Sequence, residues 1–404
     1  MTRAAAAVPA ARGPRRLGSG LVPVIQRCVD VRVRSIVCLL LIGVGAGAGA
    51  GTGTAGAAGA PPPLPARSAP GHLVFRGGTI AGVGAADVEV RDGRIVAVGP
   101  GVGAGAPDAT AIDARGRWLA PAFIDSHVHL AYWPVGPAVA AGGVAGAVDL
   151  AAPLEFLAAP HAPLRVIASG PMVTAPRGYP LESWGRDGYG LPVAGAKAAA
   201  AAVEKLHALG ARVIKIPLTD PPVLDDATVR AVVERAHALG LKVAVHALGD
   251  DDARRAAAAG VDVLAHTPTE PLSEATVSAW AGRAVISTLD AFGAGFAAVE
   301  NLARLRARGV TVLYGTDLGN SHVAGIALDE LRLLGRAGLD PAAILAAATA
   351  TPAAFWPFSD LGTIAPGKAA SVLLLPADPL RDPLALARAT DVYVDGVRLG
   401  PAAP

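Results

Sequence analysis

Residues 119–130 read LAPAFIDSHVHL, and this stretch decides how the rest of the chain is interpreted. It begins with the apolar character of a buried β-strand and ends in His127-Val128-His129. Because side chains alternate between the two faces of a strand, the two imidazoles leave one face and Val128 points away. Two converging imidazoles form half of a first-row metal site. An H-x-H pair alone is more often an ordinary core or surface pair, so the remaining ligands must come from elsewhere in the chain.

Composition narrows the class of protein. The chain has 404 residues and a formal net charge of +2, so it has neither the excess nor the clustering of basic residues that nucleic-acid binding requires. The chain is rich in Ala, Gly and Val, and its 52% hydrophobic content owes much to Ala and Val, which is atypical of a membrane protein. The only cysteines, Cys28 and Cys38, lie near the start. If that region is removed, the mature protein has no cysteine and can form neither a disulfide nor a zinc–thiolate site.

Residues 1–60 have the organisation of an export leader. Arginines with a single acid, Asp30, precede the apolar run at residues 36–44, and small-x-small sites such as Ala55-Gly56-Ala57 follow. This order predicts a secretory signal peptide and an exported, periplasmic or secreted protein. The apolar run is shorter than the ~20 residues that span a bilayer. An uncleaved leader, the one route to membrane association, remains the alternative. Residues 61–71, with three consecutive prolines, predict an extended linker.

Two β-rich segments, residues 72–118 and 362–404, flank the centre of the chain. Both contain short β-branched runs separated by turn signals, including Asp92-Gly93 in the first and Asp395-Gly396 in the second. An Asp-Gly pair between such runs is typical of a two-residue hairpin loop. Neither segment has enough strands for a core of its own. We therefore predict that both ends pair into one small β-sandwich beside the central domain.

The central residues 119–361 alternate apolar strand-like runs with Ala-rich amphipathic helices. Several of these helices end at a glycine that immediately precedes the next strand, which is the expected C-cap. Eight such βα units can be counted, so the predicted fold is α/β, a (β/α)8 TIM barrel. In that fold the C-terminal ends of the strands carry the chemistry.

Chemically competent side chains recur at those predicted strand ends. They are His127, His129, Lys215, His246, His266 and Asp317. Lys215 lies inside the apolar run RVIKI, where an unpaired ammonium would be costly to bury, so something must pair with it or change its charge. If Asp317 is not a catalytic residue, it could be a metal ligand only, or an N-cap for a helix after Ser321.

Three further residues are candidates for substrate binding. Arg177 and Tyr179 lie in the loop after the third strand, PRGYPLESWGRDGYG, and could hold a substrate carbonyl or carboxylate. His322 lies just past the eighth strand. A Gly-rich loop with polar tips is more often only a loop.

The motifs resemble those of the amidohydrolase superfamily of metal-dependent hydrolases, in its imidazolonepropionase- and prolidase-related branch. The resemblance covers nearly all of residues 73–400. The motifs that carry it are PAFIDSHVHL, RVIKI, VAVHA, LAHT, YGTD and GTIAPGKAASVLLL. Two positions depart from the family pattern: Ser371 stands where Asp is usual, and Tyr179 stands where relatives often have His. The second departure leaves the substrate open.

The resemblance implies two divalent metal ions, with Zn²⁺ favoured. The ligands it implies are His127, His129, Lys215, His246, His266 and Asp317. The first histidine pair would bind the more buried ion and the second pair the more exposed ion. Lys215, carboxylated by CO₂, would bridge the two, and Asp317 would also act as acid and base on a bridging hydroxide.

The function predicted from these residues is hydrolysis of a C–N bond in an amide, lactam or dipeptide, with a small-molecule substrate. A mononuclear deaminase on the same fold is the first alternative. Such enzymes typically place a Glu shortly after the fifth-strand histidine and lack the strand-four lysine, whereas His246 is followed here by ALGD. The second alternative is a catalytically silent exported binding protein. Such a protein would be expected to lack one or more of the metal ligands. Homo-oligomerisation is left open.

Overall fold

The computed structural model describes residues 71–400. The predicted leader over residues 1–60, the linker up to residue 70 and both cysteines lie outside the described residues. Among the residues that the structure describes, no helix combines the length and the apolar character needed to cross a membrane.

The described chain contains eighteen strands and nine α-helices. The strands are β1 (Leu73–Ile80), β2 (Gly84–Arg91), β3 (Arg94–Gly99), β4 (Thr110–Asp113), β5 (Trp118–Pro121), β6 (Phe123–Val128), β7 (Val144–Asp149), β8 (Arg165–Ala168), β9 (Met172–Thr174), β10 (Gly190–Pro192), β11 (Val213–Pro217), β12 (Lys242–His246), β13 (Val263–Leu264), β14 (Ala284–Ile286), β15 (Thr311–Leu313), β16 (Val372–Leu375), β17 (Asp391–Val394) and β18 (Val397–Gly400). The helices are α1 (Gly136–Ala141), α2 (Ala196–Ala208), α3 (Asp226–Ala238), α4 (Asp250–Ala258), α5 (Glu274–Ala279), α6 (Phe296–Ala307), α7 (Leu328–Arg336), α8 (Pro341–Ala348) and α9 (Ala350–Phe355).

Eight parallel strands form the centre of the molecule, in two runs. The first run is β6-β7-β8 and the second is β11-β12-β13-β14-β15. Backbone hydrogen bonds join the end of the second run to the first strand, including Ser126 N to Tyr314 O at 2.9 Å and His129 N to Leu318 O at 2.7 Å. The eight predicted strands are all present, and the arrangement is TIM-barrel-like.

The ladder is interrupted between β8 and β11. Gly170, at φ 66°, turns the chain away after β8, and β9 then pairs with β10 to form a separate two-stranded sheet. A single backbone hydrogen bond, Arg212 N to Ala168 O at 3.1 Å, connects β8 with the approach to β11. The two-stranded sheet carries the loop of residues 175–189, which reaches the candidate site.

The stretch at residues 119–130 divides between two sheets. Its first part belongs to β5 in the flanking sheet and its second to β6 in the barrel. The change occurs at Ala122, whose N–H donates to Ser371 O, while Phe123 N–H donates to Gly143 O. One continuous apolar run therefore supplies a strand to the flanking sheet and a strand to the parallel sheet, and its sequence alone does not show where one ends and the other begins.

The flanking sheet combines strands from both ends of the described chain, as predicted. Its order is β18-β17-β16-β5-β1-β2-β3, with β4 beside β1. The sheet folds over its own apolar face, since Ile95 N–H donates to Lys368 O and the rings of Phe75 and Tyr393 meet edge-on at 4.9 Å. The pairing forms one mixed sheet, so a two-layer sandwich stays a prediction.

The two predicted Asp-Gly hairpin loops are confirmed. Asp92 and Gly93 have φ values of 49° and 78°, and Asp395 and Gly396 have 50° and 75°. Two consecutive positive φ angles are the mark of a type I′ turn, which matches the twist of the strands it joins. The loops also meet, because a Cβ on Gly93 would lie 2.6 Å from Asp395 O.

Candidate metal centre and its cavity

Six predicted side chains converge at the C-terminal ends of the parallel strands. His127 lies in β6, Lys215 in β11 and His246 at the end of β12. The other three lie just past a strand: His129 is one residue after β6, His266 two residues after β13, and Asp317 four residues after β15. Each is 8% exposed or less. Parallel strands open their carboxyl ends to the same edge, so positions far apart in sequence meet there.

Asp317 is the centre of this cluster. Its Oδ1 lies 3.4 Å from His127 Nε2 and 3.1 Å from His129 Nε2, and its Oδ2 lies 3.9 Å from His266 Nδ1. Ligand atoms of His127, His266 and Asp317 all lie within 4.8 Å of one another, a spacing that could hold one metal ion.

The second half of the cluster borders the same cavity. The ring of His246 meets that of His266 at 4.8 Å and nearly at right angles. Lys215 also lines this cavity. Burial lowers the pKa of Lys215 to about 7, so much of its amine is uncharged near neutral pH.

Neighbouring groups orient the rings. His127 Nδ1 lies 2.8 Å from Ala265 O, so this nitrogen must carry the proton and donate it to the carbonyl. His127 Nε2 then carries a free lone pair, which faces Asp317. His266 Nδ1 lies 3.1 Å from Thr288 Oγ1, which leaves its Nε2 available. Such bonds fix the tautomer and orientation of metal-binding histidines.

Several buried polar atoms of the cluster lack a hydrogen-bond partner within the described part of the chain. They are His127 Nε2, His129 Nδ1, Lys215 Nζ and Asp317 Oδ1. The contacts of Asp317 Oδ1 with the two imidazoles are short but lack hydrogen-bond geometry. Buried polar atoms are normally satisfied. Imidazole nitrogens and a carboxylate are ligands of zinc and related divalent ions, so this donor set fits a metal.

The protonation states suit that chemistry. Burial, reinforced by the charge of Lys215, lowers the pKa of His127 well below its usual value and that of His246 to about 3. Burial also lowers the pKa of His266. Burial alone would raise the pKa of Asp317, but the imidazoles of His127 and His129 hold it well below its usual range. An anionic carboxylate and a neutral imidazole are the states in which these two ligand types bind metal.

The cluster forms the floor of a cavity of about 400 Å³. Its wall is largely aromatic. The ring of Tyr179 stacks on His246 at 5.1 Å, Trp184 meets His129 at 5.4 Å, and Phe292 meets His266 at 4.8 Å. The lining residues are His129, Tyr132, Met172, Tyr179, Trp184, Lys215, His246, Leu248, His266, Phe292, Asp317, Gly319 and Asn320.

The three predicted substrate-binding residues have different positions. Tyr179 lines the cavity, whereas Arg177 and His322 do not. The Arg177 side chain is 81% exposed and its Nε donates to Glu182 at 3.0 Å. His322 is exposed and packs edge-on against Trp133 at 4.9 Å. Trp184 and Phe292 were not predicted as site residues, because an aromatic ring in a predicted barrel loop is the only signal that either carries in the sequence.

The helix-capping interpretation of Asp317 is wrong. Residues 318–327 are not helical, and the next helix, α7, begins at Leu328. The carboxylate instead accepts a hydrogen bond from Asn320 Nδ2 at 3.2 Å. Asp317 also has a φ of 52°, a left-handed conformation that Asp and Asn tolerate better than most residues.

Comparisons with known proteins agree with this geometry. A model described as "Amidohydrolase family" matches residues 118–399. Adenine deaminases of Deinococcus deserti and Deinococcus radiodurans are each 32% identical to this chain, over 334 and 339 residues. Each match covers 76% of this chain but only 57% and 59% of the relative, so the chain spans less than two thirds of their length.

Solved structures share the fold. A Xaa-Pro dipeptidase with bound methionine in the active site superposes with a TM-score of 0.71 at 20% identity, over 81% of this chain and 99% of that chain. An A. niger ochratoxinase gives a TM-score of 0.66 at 20% identity, over 82% and 96%.

Proposed function

We propose that this chain, which belongs to the amidohydrolase family, is a metal-dependent hydrolase that cleaves the C–N bond of an amide, lactam or dipeptide. The observation that carries the proposal is the convergence of four imidazoles, a buried lysine and an anionic carboxylate at the strand ends, where all but His127 line one cavity. A small molecule is the substrate that a cavity of about 400 Å³ fits.

The donor atoms suit two divalent ions, with zinc as the best match. His127, His129 and Asp317 would hold one ion, and His246 and His266 the other. Lys215, carboxylated by addition of its neutral Nζ to CO₂ with loss of a proton, would be shared between them. Bound divalent ions would lower the pKa of water and polarise the carbonyl under attack.

Asp317 is the proposed acid and base. Its carboxylate accepts the proton of the attacking water and returns it to the leaving nitrogen. Asn320 Nδ2 donates to Asp317 Oδ2, which limits rotation of the carboxylate and leaves Oδ1 for proton transfer.

Tyr179 is the proposed donor to the substrate oxygen. Burial raises the pKa of Tyr179 to about 12, so its hydroxyl keeps its proton at neutral pH. Trp184 Nε1 donates to Tyr179 Oη at 2.8 Å. The phenolic oxygen is thereby held in place as an acceptor, and its own proton is free to bond a carbonyl oxygen.

Deamination of a planar heterocycle is a second candidate, favoured by the identity to adenine deaminases. Against it stands the absence of a Glu in residues 247–250, just after His246. The two reactions differ in product, because deamination releases ammonia whereas amide cleavage releases a carboxylic acid.

The proposal is tested with purified, zinc-loaded protein on N-acyl amino acids, Xaa-Pro dipeptides, lactams, anilides and aminopurines. Carboxylic acid and ammonia are measured separately, with chelated protein and Asp317→Asn as controls. Metal-dependent release of a carboxylic acid supports the hydrolase, and ammonia release alone supports the deaminase. Stoichiometric metal binding without turnover of any compound would contradict both and favour a silent binding protein.

We also propose that the protein is exported, on the basis of the leader pattern in residues 1–60. Mass spectrometry of protein recovered outside the cytoplasm should give an N-terminus near residues 57–60. An intact N-terminus would support an uncleaved anchor.

A further inference from the structure

We infer that the substrate is electrically neutral away from the bond that breaks and carries an aromatic or planar heterocyclic group. This inference rests on the proposed hydrolytic function and specifies the substrate class of the same cavity. The feature that carries it is an aromatic wall beside the candidate metal ligands, in a cavity whose described lining residues include no cation apart from Lys215.

The aromatic wall is continuous. The indole of Trp184 meets Tyr132 at 5.6 Å, Tyr189 at 5.3 Å and Tyr179 at 6.1 Å, in edge-on or tilted arrangements. Phe292 adds a ring beside His266. Rings in such geometries present both faces and edges, which pack well against another planar ring. A flexible aliphatic or heavily hydrated group would use this wall poorly.

Positive charge in the cavity is confined to the candidate metal cluster. Among the described residues that line the cavity, Lys215 is the sole lysine and no arginine is present. The arginines of the nearest loop are directed elsewhere. Arg177 pairs with Glu182, and Arg186 Nη2 donates to the backbone oxygen of the same residue at 3.2 Å. A remote carboxylate would therefore lose its hydration without gaining an ionic partner.

Two nitrogen donors of the cavity lining are occupied within the protein. Trp184 Nε1 donates to Tyr179, and Asn320 Nδ2 donates to Asp317. The Tyr179 hydroxyl proton remains for a carbonyl oxygen of the substrate, and the hydroxyl of Tyr132, which also lines the cavity, is a second neutral donor. Neutral hydroxyl donors and aromatic contacts, with no cation other than Lys215 among the described lining residues, define a neutral aryl amide, aryl-substituted lactam or similar heterocycle.

Matched compounds that differ only by a carboxylate provide the test. N-benzoylpyrrolidine is compared with N-benzoylproline, and acetanilide with 4-acetamidobenzoate, on the zinc-loaded full chain. Dissociation constants come from calorimetry and kcat/KM from product release. We expect the neutral member of each pair to bind at least about tenfold more tightly, the scale of one unsatisfied buried polar group.

Variants connect this preference to the wall. Phe292→Ala and Trp184→Ala should weaken binding of the neutral aromatic compounds and reduce their advantage over N-acetylpyrrolidine. Phe296→Ala is the matched control, because Phe296 is 81% exposed at the start of α6 and only four residues from Phe292. Unchanged affinity in both wall variants would overturn the inference.

Binding and turnover separate the two proposals. If the neutral compounds bind through the wall and no C–N bond breaks, the hydrolase proposal fails while the ligand class stands. If the carboxylated members are hydrolysed preferentially, the hydrolase proposal stands and the neutral class is wrong. Failure of both kinds of compound to bind also overturns the class.

Discussion

Asp125 and Thr316 are 191 residues apart in sequence and share two hydrogen bonds at the base of the candidate metal site. Thr316 N–H and Oγ1–H donate to the Asp125 carboxylate at 3.1 and 2.6 Å. The same carboxylate accepts a hydrogen bond from His127 N–H at 3.0 Å. The buried Asp125 carboxylate thus fixes the backbone of His127, in β6, relative to Thr316, the residue before Asp317.

Thr316→Val tests this relation. The variant removes the hydroxyl donor to Asp125, so we expect the position of Asp317 to loosen and zinc affinity to fall by about 10–100-fold, as for other residues that support metal ligands. Loss of the buried bond should also lower the free energy of unfolding by about 1–3 kcal/mol. Competition with a metal chelator and denaturant unfolding measure the two effects.

Thr349→Val is the control for that experiment. Its buried hydroxyl donates to Leu345 O at 2.6 Å, between α8 and α9 and outside the cavity lining. This variant should lose stability without losing zinc affinity. Equal zinc affinity in Thr316→Val and the wild type would contradict a positioning role for Asp125.

Asp317→Asn should separate catalysis from folding. Asn tolerates the left-handed backbone found at Asp317, at φ 52°, so the variant should fold. Loss of the acid and base should reduce kcat by about 10²–10⁴-fold and remove the acidic limb of the pH–rate profile. Circular dichroism, metal analysis and steady-state kinetics on a substrate from the screen check this. Near-wild-type turnover would rule out the proposed mechanism.

Lys215→Ala should lose metal and activity together, because the variant lacks the amine that would carry the bridging carbamate. Short carboxylic acids should restore part of both. Metal analysis per chain and kinetics with added acetate measure the result. Lys242→Ala, at the start of the adjacent β12 with its ammonium 4.6 Å from the Phe355 ring, is the control and should keep its metal. Full metal occupancy in Lys215→Ala would exclude the bridging role.

The parts of the fold that were predictable depend on local signals. Glycines after α2, α3 and α4, at positions 210, 240 and 260, have φ values of 107°, 71° and 89°. Few other residues adopt that conformation without strain, so a glycine there is a physical requirement that sequence records. The strand-end histidines were predictable for a similar reason, since a polar residue that closes an apolar run has few purely structural roles.

The parts that were not predictable depend on long-range contacts. The end of β5 at Pro121 follows from pairing with β16, which lies about 250 residues later in the chain. The inward position of Trp184 and the outward position of Arg177 are decided by the path of one loop, including the bond from the indole to Tyr179. No periodic pattern indicates which side chain of an irregular loop turns inward.

Glu330 lies beneath the turn that brings Phe292 to the cavity. This buried carboxylate on α7 accepts hydrogen bonds from the backbone N–H groups of Leu289 and Asp290, at 3.1 and 2.8 Å. Burial raises its pKa from 4.5 to about 7, although these bonds act in the opposite direction. The folded state therefore holds a proton on Glu330 that the unfolded chain has already released between these two pH values.

Stability should consequently fall as pH rises from 4.5 to about 7, and the contribution of Glu330 should be fully present only below that window. At about 1.4 kcal/mol per pKa unit, the loss is on the order of 3 kcal/mol. Glu330→Gln should remove this slope, while its poorer fit to two N–H donors lowers stability below the window, where the wild-type carboxyl is protonated. Denaturant unfolding of chelated protein across the window measures both effects, with exposed Glu300→Gln on α6 as the control. Other titrating groups contribute equally to all three proteins, so an unchanged slope in Glu330→Gln would mean that Glu330 is ionised throughout the window.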